Sequence, residues 1–197
     1  MSTSAEANAA ASSSELLPGL RLRPVGYDDA VATHLIEQVQ QEYVVRYGGR
    51  DDAVVDPAEF TAPLGWFVVA EVDGVPAGSA GWRVHPYGDA GAVELKRMYV
   101  EPGFRGRGLA KALLAETERT AAAAGYRRVV LNTGDKQPEA IALYERAGYR
   151  PVPGYGVYAA SPDAVFLGKE LDGRDLDGRD LDGAGAPGGP EEDAWAS

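Results

Sequence analysis

Six residues, Arg105-Gly106-Arg107-Gly108-Leu109-Ala110, lead from a glycine-rich turn straight into a stretch with helical apolar spacing. Glycines let a backbone approach a ligand closely, and the first N–H groups of a helix, with its dipole, favour an anion. Arg105 and Arg107 add positive charge and donors. The chemistry this points to is binding of a phosphate or pyrophosphate. A P-loop would need Gly-x-x-x-x-Gly-Lys-Ser/Thr, which is absent. A dinucleotide fingerprint starting at Gly106 would need Gly or Ala at 111, where the chain has Lys111, and it would open the chain instead of following a hairpin. The plainer alternative is an Arg/Gly surface turn that only starts a helix.

The turn is preceded by a predicted strand, 92–100, followed by a helix over 107–124 and then by a strand, Arg128–Asn132. Short spacing around a helical crossover favours parallel strands in right-handed connection. Within 92–100 the apolar side chains change parity, from Val93 and Leu95 to Met98 and Val100. A regular strand keeps one parity per face, so the change across Lys96-Arg97 suggests one inserted residue, a β-bulge, with both cations directed to solvent. Tyr99 leaves a second reading open, a strand buried on both faces. A bulge would free backbone groups for a ligand.

Around this unit the pattern is mixed α/β. Leu20–Val25 reads as a strand and Asp28–Tyr47 as a helix stopping at Gly48-Gly49. Residues 50–64 read as irregular, with Asp56-Pro57 as a helix start. Trp66–Val72 and Pro76–Val84 flank Asp73-Gly74, a hairpin signal. Pro138–Ala147 reads as a helix with Pro in its first turn and Gly148 beyond its end. Tyr149–Tyr155 and Ala164–Leu171 read as closing strands.

The 197 residues carry a formal charge of −11. Residues 170–197 hold nine acidic and two basic side chains, while 20–169 hold 19 and 17. The acidity is therefore concentrated in the tails, and no clustered basic face suits nucleic acid. The expected organisation is a flexible leader (1–19), one domain (20–170) and a disordered acidic Gly/Asp-rich tail (171–197). The tail repeats Leu-Asp-Gly-Arg-Asp from Leu171, too briefly to stack and better suited to solvent than to calcium. There is no cysteine, which excludes disulfides, thiolate metal sites and a cysteine nucleophile. With only His34 and His85, a metal site is not expected. No run approaches the roughly 20 apolar residues of a membrane helix. The N-terminus lacks a signal peptide's basic start and apolar core, so a cytoplasmic protein is the expectation.

Arg105-x-x-Gly108-x-Ala110 resembles the Arg/Gln-x-x-Gly-x-Gly/Ala signature of the GNAT superfamily of N-acetyltransferases. Leu95-Lys-Arg-Met-Tyr-Val-Glu-Pro before it and Ala140-Ile-Ala-Leu-Tyr-Glu-Arg-Ala-Gly-Tyr149 after it are similar to the same family's segments. The resemblance implies a central twisted, mostly antiparallel sheet with one parallel, splayed strand pair and flanking helices. It implies acetyl-CoA as donor, with its pyrophosphate on the amides of Arg105, Gly106, Arg107, Gly108, Leu109 and Ala110. The pantetheine would lie between the splayed strands, against Met98, Tyr99 and Val100. Gln137 stands where relatives often carry an Asn that contacts pantetheine, and offers the same amide one carbon further out.

In such a reaction an amine attacks a thioester carbonyl, a tetrahedral oxyanion forms and a thiolate leaves. Backbone N–H groups freed near Met98 to Val100 could hold the oxygen. Tyr144 matches the family position that protonates the sulfur; a phenol of pKa about 10 suits a thiolate of about 8.5. Its plainer role is packing beside Ile141. Glu94 is the leading base, or else an ion-pair partner for Arg83, Lys96 or Arg97. His85 is a weaker second and reads better as a surface turn residue, and His34 as a helix-surface residue. Glu42, Tyr43, Tyr47, Asp51, Asp52, Tyr155 and Tyr158 would wall an acceptor pocket suited to a cationic amine. The expected partner is a small-molecule amine, an amino acid or a peptide, without nucleic acid or membrane, on a monomer or homodimer. The rival readings are a non-catalytic acyl-CoA-binding regulator and a partner-binding module that uses the acidic tail.

Overall fold

At Asp73 and Gly74 the backbone takes φ of 51° and 79°, the two left-handed residues of a tight hairpin, and the turn joins the two strands that begin the sheet's centre. The computed structural model describes residues 17–51, 53–87 and 91–171. Asp52, most of the leader (1–16) and most of the tail (172–197), with its pentapeptide repeat, lie outside the described residues.

Seven strands form one sheet: β1 (Leu20–Pro24), β2 (Gly65–Val72), β3 (Val75–Val84), β4 (Ala92–Val100), β5 (Arg128–Gly134), β6 (Arg150–Pro151) and β7 (Ala164–Glu170), in the order β1-β2-β3-β4-β5-β7-β6. Every pairing is antiparallel except β4 with β5. Helix α1 (Ala30–Tyr47) covers one face of the sheet, while α2 (Leu109–Ala123) and α3 (Pro138–Arg146) cover the other. The mixed α/β fold with one parallel pair is the one the sequence implies.

Both faces of the central strands are buried. Val68 and Ala70 of β2 join Leu109, Leu113, Val129 and Tyr149 on the α2 side, and Phe67 and Val69 join Leu35, Val39 and Phe60 on the α1 side. Asp29 caps α1 by accepting from the Val31 and Ala32 amides, and Gly48 ends it with φ of 81°. Asp56 and Glu59 form a reciprocal capping box on the short 3₁₀ turn Pro57–Phe60, which begins at the helix start expected at Asp56-Pro57 within the irregular stretch.

The predicted closing strand Tyr149–Tyr155 shrinks to the two residues of β6. Pro151 and Pro153 lack backbone donors, which removes the rungs a longer ladder would need. Helix α2 starts two residues later than predicted, because Gly108 takes φ of 86° and serves as its N-cap. No helix among the described residues is long and apolar enough to cross a membrane.

The bulge is present. Lys96 pairs with Gly81 and Tyr99 with Ser79, so Ala80 stands opposite two residues, Arg97 and Met98. Arg97 has φ of 55°, unusual for a residue with a side chain. Val93 and Leu95 before the bulge and Met98 and Val100 after it face the α2 side, whereas Tyr99 joins the α1 side. The expectation that Lys96 and Arg97 reach solvent is overturned: they are 8% and 7% exposed. Buried acids stand beside them, which makes burial of the two charges tolerable.

Candidate active site

Parallel pairing of β4 with β5 covers only Ala92–Glu94 against Arg128–Val130. Beyond that point β4 bends at Arg97, while β5 continues along β7 to Gly134 opposite Ala164. The strands part, and a cavity of about 350 Å³ opens between them. That is enough for the reactive end of a ligand. Leu95 to Met98 and Leu131 to Gly134 form its strand walls, Gln137, Ala140 and Tyr144 of α3 its helical wall, and Tyr43, Tyr47 and Asp51 border it from the other layer.

Tyr144 is 7% exposed, and its hydroxyl lies 3.6 Å from the Met98 thioether sulfur. Burial, with Tyr43 nearby, pushes the phenol well above its ordinary pKa, so it is a protonated donor at neutral pH. Tyr43 is pushed up to about 12, mainly by burial. Gln137 is the N-cap of α3; its side-chain oxygen accepts from the Thr133 hydroxyl at 2.9 Å. Met98, Gln137 and Tyr144 therefore share one cavity.

At the end of β4 the chain turns through Pro102–Phe104 into the Arg105–Gly108 loop. The Gly106 and Gly108 backbones have φ of 75° and 86°, and no atom lies within 4 Å of where a Cβ would stand on either. The amides of Gly106, Arg107 and Gly108 donate to no carbonyl among the described residues. Those of Leu109 and Ala110 open the helix, where no intrahelical acceptor exists. The Arg105 side chain turns back: its Nε donates to the Val100 carbonyl at 2.8 Å and its guanidinium pairs with Glu42. It thus fixes the loop against β4 and α1. The Tyr99 ring lies under Arg105 on the α1 side, and the Tyr99 phenol is raised to about 12, chiefly by burial.

Glu94 is 2% exposed and borders a separate recess of about 10 Å³ beside the main cavity. Its Oε2 accepts from Arg83 Nε at 3.0 Å, and its Oε1 lies 3.4 Å from Lys96 Nζ. Arg83 also donates to Glu59 at 2.6 Å. Lys96, Asn132 and Tyr158 line both spaces, so the recess lies directly beside the cavity. Tyr155 stands in the recess too; burial first, then the neighbouring Glu94 charge, push its phenol up. His85 is 9% exposed, with its ring 4.5 Å from that of Tyr155, so the expected surface turn residue is enclosed by aromatic rings instead. His34 is exposed on α1.

Of the anticipated acceptor-pocket residues, Tyr43, Tyr47, Asp51 and Tyr158 border the cavity, Tyr155 borders the recess, and Glu42 is bound to Arg105. Asp51 is already spent. Its Oδ2 accepts from Arg97 at 2.6 Å and its Oδ1 from the Tyr158 hydroxyl at 2.9 Å and the Ala53 amide at 3.0 Å. Burial opposes its ionisation, but Lys96, Arg97 and these hydrogen bonds together hold its carboxyl below the ordinary value. Arg97 also donates to the Tyr27 hydroxyl at 3.1 Å. Arg97 and Asn132 are site residues that sequence reasoning did not single out. The parity change at Arg97 was the available signal for the first; Asn132 had none. No group of His, Asp and Glu suited to a metal occurs among the described residues.

The sequence pattern of the acetyltransferase (GNAT) family matches residues 31–149. An IAA acetyltransferase of Azospirillum brasilense is 32% identical over 143 residues, covering 73% of this chain and 92% of that protein. The uncharacterized N-acetyltransferase YjgM of Escherichia coli K12 is 30% identical, over 64% of this chain and 78% of that one. Among solved structures, yncA of Salmonella typhimurium, determined with its cofactor acetyl-CoA, superposes with a TM-score of 0.60 at 23% identity, covering 78% of this chain and 95% of that chain. The family pattern over 31–149 and the relative of Azospirillum brasilense, on a fold with a parted β4–β5 pair and a glycine loop, establish that the chain belongs to the GNAT family of acetyltransferases.

Proposed function

We propose that the chain transfers the acetyl group of acetyl-CoA to a primary amine of a small molecule by direct attack. The observation that carries this reading is the β4–β5 cleft, with the Tyr144 hydroxyl inside it and unpartnered loop amides at the end of the same strand. The residues present fit the donor. Open space over Gly106 and Gly108 admits a pyrophosphate onto amides that have no other acceptor among the described residues, and a cleft walled by Leu95 to Met98 and Leu131 to Gly134 suits a chain lying along a strand edge.

When bound, acetyl-CoA supplies an activated thioester whose carbonyl carbon an amine can attack. The residues do the rest. Backbone N–H groups on the β5-facing edge of β4, past Glu94, have no strand partner and are held in place to receive developing negative charge. Tyr144 presents its proton toward the departing sulfur. Because burial raises the phenol, it works first as a hydrogen-bond donor and gives up the proton only as charge builds. Gln137 stands at the start of α3, lines the cleft and is positioned by the Thr133 hydroxyl, so its amide is offered to the pantetheine. Removal of the acceptor's proton falls to Glu94. Its Oε1 lies 3.4 Å from Lys96 Nζ, and it faces a recess about the size of one water that shares Lys96, Asn132 and Tyr158 with the cavity.

Calorimetric titration with acetyl-CoA, followed by thiol release against a panel of amines, tests this. Binding and amine-dependent release are expected. Failure to bind acetyl-CoA overturns the reading, and binding with no release across the panel favours a regulator.

A further inference from the structure

We infer that the acceptor carries a carboxylate close to its reacting amine, and that Lys96 is the residue that binds it. The inference rests on the acetyltransferase reading above and narrows its acceptor from amines in general to amino-carboxylates.

It starts from how the basic groups around the cavity are used. Arg50 is held by Glu37 through two hydrogen bonds, of 2.9 and 2.8 Å, at the exposed surface. Arg97 is committed to Asp51 and Tyr27. Arg83, behind the recess, is committed to Glu94 and Glu59. Lys96 differs. Its ammonium makes no hydrogen bond among the described residues, and its one ion-pair contact is the 3.4 Å approach to Glu94. An ammonium has three donors in need of acceptors, and Lys96 is 8% exposed, so bulk water does little to satisfy them. The residue lines both the cavity and the recess, which directs that capacity at the bound acceptor.

The charges agree. Arg83, Lys96 and Arg97 are buried against two carboxylates, Glu94 and Asp51, with Glu59 standing at the half-open rim. Both Asp51 oxygens already accept, so the pocket has little to offer a second cation. It does have an unspent donor for an anion. Asn132, which also lines both spaces, can add an amide donor, and Asp163 stands exposed at the cavity rim. A carboxylate brings acceptor oxygens for the Lys96 ammonium, whose hydrogen-bond donors this arrangement leaves unmet.

The test compares amino acids with their carboxamides and with the matching decarboxylated amines, by CoA release. Lys96→Met and Lys96→Arg are examined alongside the wild type, with melting temperature and acetyl-CoA titration as controls for folding. A charge-assisted contact predicts that the wild type favours the acids by about 10- to 100-fold in kcat/KM. In K96M the ratio falls to near one through the KM for the acid, while K96R keeps a preference. Amides or plain amines acetylated as well as the acids overturn the assignment and leave the acetyltransferase reading standing. A ratio unchanged in K96M overturns it as well. CoA release with none of the compounds overturns both.

Discussion

The Tyr144 hydroxyl stops 3.6 Å from the Met98 sulfur, so a residue of α3 reaches across the opened cleft to a residue of β4 just past its bulge. The contact places a phenol hydroxyl inside the cleft, where the proposed proton donation would occur. Tyr144→Phe keeps the ring and its packing against Tyr149, whose centroid lies 5.7 Å away. The expected result is a fall in kcat of about 10²- to 10⁴-fold with acetyl-CoA affinity nearly unchanged. Steady-state kinetics with calorimetry reads both, and an undiminished kcat removes Tyr144 from the chemistry.

Glu94→Gln separates two roles for one carboxylate. If Glu94 accepts the acceptor's proton through the recess, kcat/KM falls by about 10²-fold or more and the acidic limb of the pH–rate profile moves. A profile that keeps its shape leaves Glu94 as the anchor of Arg83 and Lys96 alone.

Gly108→Ala tests the loop without adding a collision, since nothing lies within 4 Å of the new carbon. An alanine at φ of 86° costs about 1–2 kcal/mol in backbone strain. The loop amides are expected to reorient and weaken acetyl-CoA binding by about tenfold, since 1.4 kcal/mol is a factor of ten. Unaltered affinity would show that these amides do not touch the donor.

Asp51 makes stability depend on pH in a definite direction. Its folded-state carboxyl lies below the ordinary value of 3.8, so the contribution is complete above that pH and drains away as pH falls through the folded-state value. Asp51→Asn removes the charge and leaves Arg97 buried without its anion. The expected loss at pH 7 is about 3–5 kcal/mol, narrowing as the medium is acidified. Urea unfolding at pH 7 and pH 3 measures it, and an equal gap at both contradicts the assignment.

The bulge, the glycine loop and the helix bearing Tyr144 were legible in the sequence because each leaves a local mark: a parity change, left-handed glycines before an apolar period, a proline at a first turn. The buried fate of Lys96 and Arg97 was not legible. Their partners differ in kind, one two residues away on the same strand and one 46 positions back in a loop. Nothing in a strand's own residues announces that a loop carboxylate will arrive to neutralise it. The shortened β6 was missed because aromatic and β-branched residues outweighed two prolines. Asp51 was anticipated at the acceptor pocket on residue type alone, and it does border the cavity; its pairing with Arg97, Tyr158 and the Ala53 amide left no mark in the sequence.

Arg97 is an extra bead on β4, and everything after it points the opposite way from where an unbroken alternation would send it. The strand is two half-strands of opposite phase, spliced at a single joint. Its composition can therefore drift while its length cannot. Losing Arg97 itself would leave Met98, Tyr99 and Val100 on the faces they already occupy, but it would straighten the strand and take away the bend by which β4 parts from β5; losing any other residue of β4 would turn one half against its packing.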